Sequence, residues 1–193
     1  VRKHPILPGL FLLDAAITTA SFYREILPVI ALGLFAAGAS GTGFLGSANS
    51  GGAIIGGIAV LALTRIQAKG LIVLWASLAY GLFLLAFGLT NSLITGMILI
   101  ALLGAADSVT VAVRVTTVML TTPDKMRGRA FSLMYVAAQT SNNIGTIWVG
   151  FWAGLIGASS TMVMGGIISI VMTLLILFLW EPIRKYRSND QIV

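Results

Sequence analysis

Two carboxylates, Asp14 and Asp107, each interrupt a long apolar run. At the centre of a membrane helix an acidic residue costs about 2.5–3.5 kcal/mol on insertion scales unless it faces protein or water. Held in a cavity wall, such a group can load and release a proton; packed between helices, it serves as a hydrogen-bonding strut. The neighbours fall at helical spacing. Asp14, Thr18, Ser21 and Glu25 stand at i, i+4, i+7 and i+11, which is one helical face, and Asp107, Thr110 and Arg114 stand at i, i+3 and i+7. A third stripe holds Ser132, Tyr135, Gln139, Asn142, Asn143 and Thr146, and a fourth holds Ser47, Asn49 and Ser50. These are the candidate proton and cavity residues, with Asp14, Asp107 and Glu25 as the acids.

Four arginines are candidate gates: Arg24, Arg114, Arg127 and Arg129. Arg114 lies two turns from Asp107, about 10.5 Å along the axis, so the two pair only if both side chains reach toward each other. Otherwise Arg114 is a packing or interfacial residue. Arg24 and Glu25 are adjacent, about 100° apart on a helix, and neutralise each other poorly. They read either as a snorkelled interfacial pair or as an outer gate. Arg127 and Arg129 read as plain positive-inside residues, or as anchors for anionic headgroups. Other chemistry is excluded. The chain has no cysteine, and its single histidine, His4, stands near the chain start, so neither a thiolate site nor a Ser-His pair is available and no cofactor or metal is expected. Gly41-Thr42-Gly43 lacks the lysine of a phosphate loop.

The elements that must position these residues are membrane helices. Of 193 residues 58% are apolar and 9% charged, with a mean hydropathy of +0.99, whereas globular chains carry about 25% charged residues. That excludes a soluble enzyme domain. Six crossings are expected at about 6–34, 43–64, 70–89, 92–118, 131–155 and 160–180. The first is overlong, and Pro28 is expected to kink or end it, leaving 29–39 as an extension or outer loop. Residues 37–43, 90–92 and 157–160 are turn-forming and uncharged. The other junctions hold Arg2, Lys3, Arg65, Lys69, Lys125, Arg127, Arg129, Arg184, Lys185 and Arg187, so ten of the twelve basic residues lie on one side. Both ends are therefore expected in the cytoplasm, and the net charge of +6 is a sign of orientation, not of nucleic-acid binding. A signal peptide around Arg2 and Lys3 is disfavoured by Asp14. Thr122 and Pro123 read as the N-cap and first residue of the fifth helix, and Trp75, Trp148, Trp152 and Trp180 as an aromatic belt.

The spans run polar, polar, apolar and then repeat. An offset of 93 residues overlays Asp14 on Asp107, Asn49 on Asn142, Gly52 on Gly145 and Gly57 on Gly150. Three crossings per unit place the copies in opposite orientations, an inverted repeat typical of transporters; chance similarity between glycine-rich helices is the alternative. Gly52-x-x-x-Gly56 and Gly150-x-x-x-Gly154 are small-residue faces for close helix packing.

The run Gly104-Ala105-Ala106-Asp107-Ser108, then Arg114, then Thr122-Pro123-Asp124-Lys125-Met126-Arg127-Gly128-Arg129-Ala130 resembles the second half of a major facilitator superfamily transporter, nearest the enterobactin-exporter-like, drug-proton antiporter branch. Gly145, residues 153–157, Gly165-Gly166 and the segment from Gly43 to Gly57 extend the likeness over nearly the whole chain. The resemblance implies an all-α polytopic membrane protein in which six transmembrane helices form one bundle of that fold, a 3+3 inverted repeat with units at about 1–90 and 91–180 and a cytoplasmic tail at 181–193. It further implies alternating access around a central cavity, peripheral third and sixth spans, and a missing N-terminal six-helix bundle as partner. Residues 64–70 depart from it, since they keep charge but have no acid for a salt-bridged inner gate.

The expected function is proton-coupled export of a small amphiphilic molecule, such as a drug or siderophore, across the inner membrane. A non-transporting scaffold or truncated fragment is the alternative. An intramembrane aspartyl protease is remote: Ala105-Ala106-Asp107 lacks the glycine of that site, and no tyrosine precedes Asp14.

Overall fold

The computed structural model describes residues 7–21, 23–63, 68–180 and 183, with backbone only at 7–11 and 121. The described chain is helical: α1 (Leu7–Ser21), a 3-10 turn (Arg24–Ile26), α2 (Leu27–Gly33), α3 (Gly38–Leu63), α4 (Lys69–Leu89), α5 (Leu93–Thr121), a second 3-10 turn (Asp124–Met126), α6 (Arg127–Ile156) and α7 (Ala158–Leu179). Five segments are long and apolar enough to cross a membrane: Leu12–Gly33 taken through its break, α3, α4, Leu93–Leu120 and α7. With 30 residues, α6 spans about 45 Å and is long enough, but its polar stripe lowers its hydropathy. Arg2, Lys3, Arg65, Arg184, Lys185 and Arg187, together with the tail, fall outside the described residues.

Three local expectations are corrected. The first span breaks upstream of Pro28, at residues 23–26, and Pro28 sits in the first turn of α2, where its missing N–H has no intrahelical acceptor to lose. Residues 38–43 open α3 instead of forming a loop, and the connection from α2 narrows to 34–37, with Ala36 at φ +48° and Gly38 at +61°. Pro123 precedes the 3-10 turn and Thr122 caps the end of α5; α6 begins only at Arg127.

The helix contacts fall into matching sets. Matching the first span to α5, α3 to α6 and α4 to α7, the contact of α3 with α5 corresponds to that of α6 with α1, and the contact of α4 with α5 to that of α7 with α1. The α4–α7 contact maps onto itself. Glycine permits the closest crossing: a Cβ on Gly52 or Gly56 would collide with the backbone of Ala101 or Ala105, and one on Gly104 with that of Asn49. Small residues thus bring α3 and α5 into backbone contact. Gly150 and Gly154 differ, since both are exposed and nothing lies within 4 Å of either; their face meets no described helix. The main core joins Tyr23, Ile30, Leu45, Leu84, Phe87, Ile100 and Leu103, all buried.

Candidate functional site

The first span and α5 each rest chiefly on other helices, α1 on α6 and α7, α5 on α3 and α4. Between them lies a cavity of about 190 Å³. Two ion pairs cross it. Arg114 of α5 pairs with Asp14 of α1, and Arg24 Nη2, on the 3-10 turn, donates to Asp107 Oδ2 at 3.1 Å. Each span therefore supplies one acid and one arginine to the other, and the four formal charges cancel. Asp107 and Arg114 do not pair with each other, and Arg24 turns to Asp107 instead of Glu25.

The two pairs differ in access. Side-chain exposure is 11% for Arg114 and 23% for Asp14, against 49% for Arg24 and 39% for Asp107. The inner pair is enclosed, and among the described residues Arg114 Nε has no hydrogen-bond partner. The outer pair opens onto the cavity through a single direct bond between the two side chains.

The break in the first span explains how Arg24 arrives there. Tyr23 Oη donates to Asn49 Oδ1 of α3 at 2.6 Å, Tyr80 Oη of α4 donates to the Ser21 carbonyl at 3.1 Å, and the two rings lie 6.3 Å apart. The Ser21 carbonyl, at the end of α1 where helical N–H donors run out, is thereby satisfied from another helix. The Ser21 hydroxyl is fully buried and bonds back to Ile17.

Of the residues singled out by spacing, Asp14, Thr18, Arg24, Asp107, Thr110, Arg114 and Asn142 line the cavity. Thr110 Oγ1 donates to the Asp107 carbonyl at 2.8 Å. Glu25 is exposed on its turn and lies outside the lining. Ser47 and Ser50 are exposed on α3, away from the cavity. Tyr135, Gln139, Asn143 and Thr146 occupy an exposed face of α6 beside Asn142, whose amide donates to Gln139 Oε1 at 3.1 Å. Arg127 pairs with Asp124 at 2.9 Å and its Nε donates to the Met119 carbonyl at 3.2 Å, closing the end of α5. Arg129 is exposed on the first turn of α6.

Tyr23, Ser77 and Tyr80 also line the cavity and were not foreseen. The third span, expected to be peripheral, places Val73, Ser77 and Tyr80 on one face at i, i+4 and i+7. That spacing, with two hydroxyls in an otherwise apolar helix, was the available signal. Trp152 lies inside α6 against Trp148 and Phe151, with ring centroids 5.6 Å apart in each case.

Residues 10–193 match the family described as transmembrane secretion effector, within the major facilitator superfamily. Curated relatives include an enterobactin exporter of Escherichia coli, 27% identical over 185 residues, which cover 96% of this chain and 44% of that protein. Enterobactin exporters of Salmonella paratyphi A and Citrobacter koseri are each 26% identical over 188 residues, covering 97% of this chain and 45% of the relative. The chain thus spans less than half the length of these relatives.

Proposed function

The chain belongs to the transmembrane secretion effector family of the major facilitator superfamily, and from that premise we propose that it is the C-terminal half of a secondary active exporter of a small amphiphilic molecule, driven by protons. The observation that carries this is the pair of crossed ion pairs in a cavity between helices long and apolar enough to cross a membrane. Ionisable groups at that depth are expensive and mark transport pathways and proton relays. The names of the relatives support export of a siderophore or a comparable compound.

The other half of the transporter docks, in this reading, on the exposed small and polar stripes of α3 and α6. On α3 these are Gly43, Ser50 and Gly57; on α6 they are Ser132, Gln139, Asn143, Thr146 and Gly150. Faces of this composition suit close helix approach or a water-filled cavity better than lipid. The inner-membrane location, with both ends in the cytoplasm, rests on the distribution of basic residues. The test is efflux from cells that carry the protein joined to its N-terminal bundle. A siderophore or a fluorescent amphiphile leaves faster than from control cells, and the effect collapses when a protonophore removes the gradient. Equal efflux with and without the protein defeats the proposal.

A further inference from the structure

We propose that Tyr23 and Arg24 form a detachable pin that holds the break of the first span against α3 and α5, with Asp107 as its release point, while Asp14 and Arg114 form a fixed anchor. The inference rests on the transporter reading above and adds a division of labour between two otherwise similar acids. Residues 23–26 leave the α-helical path, so this segment is where α1 and α2 can change their mutual angle. Three long-range side-chain bonds hold it among the described residues, one each to α3, α5 and α4: Tyr23 to Asn49, Arg24 to Asp107, and Tyr80 to the Ser21 carbonyl.

Only one of the three is an open charge pair. The Tyr80 bond is buried and the Tyr23 bond partly so, whereas Arg24 and Asp107 are 49% and 39% exposed. Loss of the Asp107 charge removes the strongest reason for Arg24 to point at α5. Asp14 has less access, 23% against 39%, and its arginine is nearly enclosed; the pair ties α1 to α5 on the helical side of the break. Neutralising Asp107 therefore frees α2 to swing while α1 stays attached.

This chain has no cysteine, so labels within it go only where cysteine is introduced, and any cysteine in the rest of the full-length protein is first replaced by serine. Spin labels at Leu12→Cys and Val29→Cys, both exposed positions, bracket the break about 25 Å apart along the span, and the distance distribution is read by pulsed electron resonance on the full-length protein in lipid nanodiscs. Asp107→Asn and Arg24→Gln each displace or broaden the distribution by about 2 Å or more, the scale of packed-helix shifts, and Arg24→Lys restores the parent distribution. Asp14→Asn leaves it in place; if that variant does not fold, the Asp14→Asn/Arg114→Gln double variant takes its role. An unmoved distribution in both Asp107→Asn and Arg24→Gln overturns the pin, as does an equal displacement on removing the inner pair. Efflux measured in parallel separates the two readings. Parental efflux with an unmoved distribution in both outer-pair variants removes the pin alone. A displaced distribution in a protein without efflux keeps the pin and removes the transporter.

Discussion

Replacing Asp14 with leucine leaves Arg114 without its counter-charge, in a position where the side chain is only 11% exposed. Breaking a buried pair on one side costs about 3–5 kcal/mol in soluble proteins, and Arg114 stands two turns before the end of α5, short of the depth at which an arginine has its full cost of about 2.5–3.5 kcal/mol on insertion scales. The lower end, about 3 kcal/mol, applies. At about 1.4 kcal/mol per decade, the unfolding equilibrium of Asp14→Leu shifts by about 100- to 200-fold. The Asp14→Leu/Arg114→Leu double variant removes both charges and stays within about 1 kcal/mol of the parent, because well-packed apolar replacements of a buried pair are close to neutral. Unfolding in mixed micelles, followed by tryptophan fluorescence from the Trp148–Trp152 pair, supplies all four corners of the cycle. The coupling energy exceeds about 2 kcal/mol. A coupling below about 0.5 kcal/mol would mean that the inner pair is not a unit, and the anchor assignment would fall with it.

Glycine substitutions separate packing within the chain from packing against a partner. Gly52→Leu and Gly56→Leu force α3 off the α5 backbone and destabilise by about 1–3 kcal/mol or more, read as lost monodisperse protein. Gly57→Leu and Gly150→Leu meet open space and keep the parent melting temperature, but lower the recovery of this half with a separately expressed N-terminal bundle. Tyr80→Phe deletes the bond to the Ser21 carbonyl and costs about 0.5–1.5 kcal/mol in the same unfolding assay. Arg127→Ala loses an exposed pair and one capping bond and changes stability by about 1 kcal/mol or less.

The polar stripes were readable because a charged residue in an apolar run has so few physical explanations. Asp14, Asp107 and Arg114 could be singled out on that ground, and six spans with basic junctions followed from composition. Partner choice was not readable. Arg24 and Asp107 are 83 positions apart, and helical spacing constrains only residues within a few turns, so the crossed pairing needed the fold. Ser77 and Tyr80 were hidden for a different reason: two hydroxyls do not make an apolar helix amphipathic, and only the packing of α4 on α5 and α7 shows which side they take. Pro28 drew attention to the right neighbourhood and the wrong residue, since proline marks a helix start as readily as an end. The long stripe on α6 is legible as a polar face, yet most of it is exposed within this chain, so its role depends on what covers it.

The most direct test of proton-coupled export through this cavity is proton flux on addition of substrate to proteoliposomes holding the full-length transporter, with a pH-sensitive dye inside. The parent protein gives a substrate-dependent dye response that Asp107→Asn abolishes while the protein still folds and inserts. A dye response of parental size in Asp107→Asn would contradict the account.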